Sequence, residues 1–205
     1  MSPREGHPLV IGLLGGIAAG KTAVAGMFAQ LGARVVSADA IAHAVLHEPA
    51  IRDRIVARWG DAVLGAAGQI DPKALARRVF GHAEELAALE AITHPAILAR
   101  MREQAAAAQA SAHMVAVVLD APLLLEAELD PLCDLLVFVD CPREVRAARV
   151  AAERGWDAEE LDRREAHQQP LDAKRQRAHC VVSGDRSLET TFQQVQQVWQ
   201  EALGL

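Results

Sequence analysis

Features that would tie this sequence to a special environment are few. Its three cysteines, Cys133, Cys141 and Cys180, are an odd number without CxxC spacing. That excludes a disulfide framework and a cysteine zinc site, and suits a reducing compartment. They read as small buried hydrophobes. No run reaches 18 uninterrupted apolar residues, so no helical membrane span is expected. The opening MSPREGHP lacks the plan of a signal peptide, and the expected location is cytoplasmic. There is no basic excess either: 21 Lys+Arg stand against 27 Asp+Glu, a net charge of −6. That balance argues against a dedicated nucleic-acid binder, though not against a basic pocket. Lysine itself is scarce, being limited to Lys21, Lys73 and Lys174. A lysine in a special place therefore carries weight. Internal repeats and linkers are absent.

What is present is a chain of 205 residues, 51% hydrophobic and 23% charged, enough to bury a substantial core. Leu9 to Leu14 is an apolar run bounded by glycines and reads as a strand buried on both faces. Val24, Met27, Phe28 and Leu31 recur at helical spacing, with Gly32 as a stop. Arg34-Val35-Val36-Ser37 is a second strand, completing a βαβ unit. Residues 40 to 112 are helical in pattern. Asp71-Pro72 caps and opens a helix through Phe80, and Thr93-His94-Pro95 opens another. Met114 to Leu119, Leu135 to Val139 and Cys180 to Val182 read as further strands. Residues 142 to 178 are helical and rich in both arginine and acid, and Leu188 to Leu203 is a last amphipathic helix. The fold class is α/β, a five-stranded parallel sheet with flanking helices, a helical insertion after the second strand and a helical excursion before the fifth.

Gly15-Gly16-Ile17-Ala18-Ala19-Gly20-Lys21-Thr22 matches G-x-x-x-x-G-K-[ST] in full, between a strand and a helix. Glycines let such a loop wrap a polyphosphate with its N–H groups pointing inward, and the helix adds its positive end. Lys21 is placed to reach β- and γ-phosphates, and Thr22 to join a Mg²⁺ shell. The nucleotide set thus runs Gly15, Gly16, Ile17, Ala18, Ala19, Gly20, Lys21, Thr22 and Ala23. A guanine-nucleotide switch would need D-x-x-G and N-K-x-D, and neither occurs. Asp39 follows the second strand and is read as ending it, beside the loop. From there it is either a general base for a hydroxyl or the N-cap of a helix beginning at Ala40.

Taken in order, several segments resemble dephospho-CoA kinase, the last enzyme of coenzyme A synthesis. They are Ile11-Gly12-Leu13, Gly15-Gly16-Ile17, Leu31-Gly32-Ala33, Ala38-Asp39-Ala40-Ile41-Ala42, Gly68-Gln69-Ile70-Asp71, Val79-Phe80, Leu89 to Ile97 and Asp120-Ala121-Pro122-Leu123-Leu124-Leu125-Glu126. Arg149, Gln168 and Lys174-Arg175 also fall where the family carries similar residues. The resemblance implies a P-loop kinase fold with a nucleotide-binding core (1–39, 113–141 and 179–205), a helical substrate-side domain (40–112) and a lid (142–178). It implies ATP and dephospho-CoA as the small-molecule partners and Mg²⁺ as the ion accompanying ATP. The expected state is a monomer or weak homo-oligomer, without nucleic acid or membrane. Asp39 matches the family's acceptor-activating aspartate. Lys21 and Arg149, the latter leading the lid arginines, face the developing charge. His94, Leu123 and Glu126 fall on the acceptor side, with Asp39.

The chain departs from the family at identifiable places. Ala18 and Ala19 stand where glycine and serine are usual, which restricts φ at 18. Ser37 replaces an aspartate, His43 replaces an arginine, and Ser183-Gly184-Asp185-Arg186 replaces Asp-Asn-x-Gly near the nucleotide base. These changes keep two alternatives open, a catalytically weakened nucleotide-binding relative or a kinase for another acceptor. Asp120 reads either as a Mg²⁺-shell carboxylate or as a cap for the Pro122 turn. His94 reads equally as a helix-start hydrogen bonder. His43 and His47 stand four apart on one helix, a spacing that can bind zinc, but have no accompanying ligand set for it. Most arginines between 143 and 177 read as solvated, paired with Glu144, Glu153 and Glu160.

Overall fold

The structure, a computed structural model, describes residues 7–79, 81–111 and 113–204. In chain order, β1 (Leu9–Leu14), α1 (Lys21–Gln30) and β2 (Arg34–Ser37) form the first βαβ element. Then come α2 (Ala38–Val45), α3 (Pro49–Trp59), α4 (Pro72–Val79) and α5 (Ala83–Gln109). β3 (Ala116–Asp120), β4 (Leu135–Asp140), α6 (Arg143–Arg154), α7 (Ala158–Glu165), α8 (Leu171–Arg177), β5 (Cys180–Ser183) and α9 (Leu188–Leu203) complete the chain. Two compact units result. One holds residues 7–37 and 104–204, the other Ala38–Glu103. The divisions thus fall at 37/38 and 103/104, where the sequence expectation drew the helical part over 40–112.

In the first unit all five strands are parallel, in the order β2-β3-β1-β4-β5. β1 is central because it is apolar at every position and can be covered on both faces. Leu9, Ile11 and Leu13 turn towards α1 and α9, packing with Val24, Phe28, Val195 and Trp199. Phe28 and Trp199 meet at 6.2 Å between ring centroids. Each fully buried side chain of this kind contributes roughly 1.5–3 kcal/mol. Several helix ends are set by local chemistry. Ser187 Oγ accepts from Thr190 N and starts α9, and Asp157 Oδ1 accepts from Glu160 N and starts α7. Gly155, at φ 67°, closes α6.

The Ala38–Glu103 unit is helical. Asp71 Oδ1 accepts from Lys73 N at 2.9 Å and opens α4 as expected; Phe80, the expected end, lies outside the described residues. Three expectations need correction here. Thr93-His94-Pro95 does not start a helix, because α5 runs unbroken through Pro95. Burial of Ile92, Thr93 and Met101 and the alanine-rich composition outweigh the lost N–H, while Thr93 Oγ1 donates back to Leu89 O. Asp39 does not end β2 but is the second residue of α2. His47 lies beyond the end of α2, its ring edge-on to His43 at 5.3 Å, and among the described residues no three His, Cys, Asp or Glu could hold a metal.

Candidate active site

The loop between β1 and α1 has the shape that its glycines allow. Gly15 and Gly20 take φ values of 144° and 98°, and Ala18 sits in the left-handed region at φ 57°. An alanine there costs about 1–2 kcal/mol relative to glycine. The departure at 18 is therefore tolerated with strain. α1 begins at Lys21 with no side-chain cap and no acid in its first turn, leaving its positive end to whatever occupies the loop. Lys21 folds back over the loop, its Nζ donating to Gly15 O at 3.0 Å and Gly16 O at 2.7 Å. It is 9% exposed. Burial and the Lys174 charge, opposed by Asp120, bring its pKa down to about 8, with Arg146 lowering and Glu165 raising it further.

Thr22 Oγ1 donates to Asp120 Oδ2 at 2.9 Å. Asp120 is buried at the end of β3, so strand and helix together bring a hydroxyl and a carboxylate into contact beside Lys21. β3 pairs Asp120 with Ser37, the last residue of β2.

Arg149 on α6 donates to Ala18 O at 3.0 Å and Gly184 O at 2.7 Å. Its guanidinium braces the loop against the segment after β5. Gly184 is required there. A Cβ on it would run into Ala19 O and come within 2.8 Å of Val139 Cγ1. Gly184→Ala is expected to push the loop out of shape at about 1–3 kcal/mol. We expect about tenfold weaker ATP binding by calorimetry; unchanged affinity would show that the contact does not shape the loop.

The sequence reading missed Arg146. It lies 3% exposed on the same face of α6 as buried Val150, with Nε on Cys141 O at 3.1 Å and Nη1 on Ile17 O at 3.5 Å and paired with Glu165. Its one sequence signal is that i, i+4 register with Val150 on an apolar stripe. Other arginines do behave as expected on the surface, Arg164 with Glu160 at 2.7 Å and Arg143 with Asp162 at 2.7 Å. Arg154 and Arg164 flank the ring of Trp156, at 4.8 and 4.0 Å from its centroid.

Glu126 is engaged internally. Its Oε1 accepts from Gln169 N at 2.7 Å and from Lys174 Nζ at 3.0 Å, and Lys174 Nζ also reaches Gln168 Oε1 at 3.0 Å. Burial pushes the Glu126 carboxyl up, but the Gln169 and Glu126 backbone N–H groups and Lys174 outweigh it and hold it below its ordinary value. Leu123 is half-buried nearby in sequence. The first unit thus gathers the loop, Lys21, Thr22, Asp120 and Arg149. Asp39 on α2 and His94 on α5, both exposed, belong to the helical unit.

A loop for polyphosphate, a buried lysine folded on it and a hydroxyl–carboxylate pair beside it are the parts of a phosphoryl-transfer site. The sequence model of the dephospho-CoA kinase family matches residues 9–190. A curated dephospho-CoA kinase from Syntrophotalea carbinolica is 44% identical over 191 residues, covering 91% of this chain and 89% of the relative. A solved dephospho-CoA kinase from Campylobacter jejuni is 25% identical and superposes with a TM-score of 0.70, covering 94% of this chain and 96% of that one. Shikimate kinase from Acinetobacter baumannii shares the fold alone, with 16% identity, a TM-score of 0.52 and coverage of 95% and 92%.

Proposed function

The chain belongs to the dephospho-CoA kinase family, and we propose that the loop, Lys21, Thr22, Asp120, Arg149 and Asp39 carry out that family's reaction. The reaction transfers the γ-phosphoryl of ATP to the ribose 3′-hydroxyl of dephospho-CoA, giving coenzyme A and ADP, the last step of coenzyme A synthesis. The observation that carries the assignment of roles is the Lys21-capped loop with Thr22 bonded to Asp120 beside it.

With ATP in the loop, Lys21 exchanges the Gly15 and Gly16 carbonyls for β- and γ-phosphate oxygens, while Gly15 through Ala23 supply backbone N–H groups and the start of α1. Arg149, held on Ala18 O and Gly184 O, adds positive charge at the loop's edge. Asp39 orients the 3′-hydroxyl and takes its proton as the phosphoryl group transfers. His94 and Leu123 serve the acceptor side, and Glu126 steadies that segment through Gln169 and Lys174. The residues 40–112 act as the substrate-side domain and 142–178 as the lid.

Mg²⁺ fits Thr22 and Asp120. Both offer hard oxygen donors, and they lie 2.9 Å apart at the start of α1 and the end of β3. When bound it neutralises phosphate charge. The proposed state is a monomer or weak homo-oligomer. No helix among the described residues is long and apolar enough to cross a membrane. Free cysteines and the use of ATP support a cytoplasmic setting. The departures at Ser37, His43 and Ser183 to Arg186 leave open a catalytically weakened nucleotide-binding relative or a kinase for another acceptor; a family match over 9–190 favours neither.

Purified protein with Mg·ATP is expected to release ADP only when dephospho-CoA is added, with one coenzyme A formed per ADP by mass. ADP release independent of dephospho-CoA, or no turnover at all, would overturn the reading.

A further inference from the structure

Arg146 and Glu165 form an ion pair lying directly on the phosphate loop. A Cβ on Gly16 would stand 2.7 Å from Arg146 Nη1 and 3.1 Å from Glu165 Oε1, so both groups lie against that residue. Arg146 is anchored by Cys141 O and Ile17 O, and its side chain is only 4% exposed; that of Glu165 is 21% exposed. An arginine in this place suits a site for anions. A carboxylate does not, since it repels every phosphate that approaches. Glu165 is the last residue of α7. A carboxylate gains nothing from that helix, whose last turn carries the negative end of its dipole.

We propose that Glu165 is a charge stop for the phosphate loop, a positioning residue that neutralises Arg146 while the loop is empty and so limits how tightly nucleotide is held. The proposal rests on the assignment of the loop to ATP and ADP. Nucleotide enters by drawing Arg146 away from its partner, and ADP leaves as the pair re-forms. The carboxylate thus trades affinity for release of product. Removing its charge acts twice in one direction, ending the repulsion of phosphate and freeing the Arg146 charge.

The test is ADP binding by calorimetry at fixed salt, together with steady-state kinetics. Glu165→Gln is expected to bind ADP about tenfold more tightly, the size expected of one charge at intermediate range. KM for ATP should fall with kcat as release slows. Glu165→Asp, which keeps the charge, should stay within about threefold of the parent. Arg146→Gln leaves Glu165 unpaired on the loop and should weaken ADP at least tenfold, and the double variant R146Q/E165Q should recover most of that loss. ADP affinity in Glu165→Gln that is unchanged or weaker overturns the proposal, as does a double variant no better than Arg146→Gln. The ADP-binding measurements need no acceptor. A parent protein that bound ADP but made no coenzyme A would overturn the assigned reaction and not this result.

Discussion

Replacing Asp39 by asparagine is expected to cut turnover with dephospho-CoA by ~10²–10⁴-fold while changing ATP affinity little. Asparagine keeps the size and one acceptor oxygen of aspartate but cannot take a proton at neutral pH, so only the step in which the 3′-hydroxyl is deprotonated should suffer. Asp39 follows Ser37, the β2 residue paired with Asp120, by two positions and lies in the first turn of α2. A carboxylate there also favours the helix start. The two roles separate in measurement. Loss of a helix contact would lower the melting temperature and leave kcat per folded molecule intact, whereas loss of the base would lower kcat alone. A variant within about threefold of the parent would remove Asp39 from the chemistry.

Lys21→Met should lower kcat/KM for ATP by ~10³-fold, combining the loss of phosphate binding with the loss of charge stabilisation in transfer. The methionine fills much of the buried volume, so the fold should persist. The pH dependence adds a second signature. Lys21 is brought down to about 8 by burial first and then by the Lys174 charge, so in the empty loop it loses its proton above that pH. Phosphate favours the ammonium form. ATP binding must then take up a proton, and the parent's ATP affinity should fall towards tenfold per pH unit above about pH 8. Calorimetry across pH 7 to about 9.5 would show this fall in the parent and its absence in Lys21→Met. A parent with flat affinity across that range would refute the role of Lys21 in holding phosphate.

Much of this arrangement was legible in the sequence because it rests on local chemistry. β1, β2 and α9 have the bounds that the sequence pattern predicts, Leu9–Leu14, Arg34–Ser37 and Leu188–Leu203. The loop from Gly15 to Thr22 is written in one contiguous motif, and Asp120 stands at a strand end where such folds place ligands. The misreadings occur where long-range packing decides. Pro95 is a helix breaker by local rule, yet α5 carries through it because Ile92 and Met101 are buried. Arg146 and Glu165 look like one more solvated pair until α6 and α7 are laid over Gly16. Gly184 reads as a departure from the family pattern, whereas its lack of a side chain matters only because Ala19 O approaches it so closely. Glu126, assigned to the acceptor side by resemblance, spends its Oε1 on Gln169 and Lys174. No pattern in the neighbouring residues reveals that.

The order of strands also governs how the chain comes together during synthesis. β1 is emitted first, yet its two neighbours are β3 and β4, so it has no strand to pair with until residues beyond Ala116 have been made. Ala38–Glu103, by contrast, is one uninterrupted stretch of chain. On the ribosome the helical unit has all its material at hand while Leu9–Leu14, apolar throughout, waits unpaired. Such a segment, exposed for the time it takes to translate a hundred residues, is the place where the nascent chain is most open to self-association and to capture by chaperones. The glycine at its centre, Gly12, and the glycine-rich loop that follows keep that apolar stretch short.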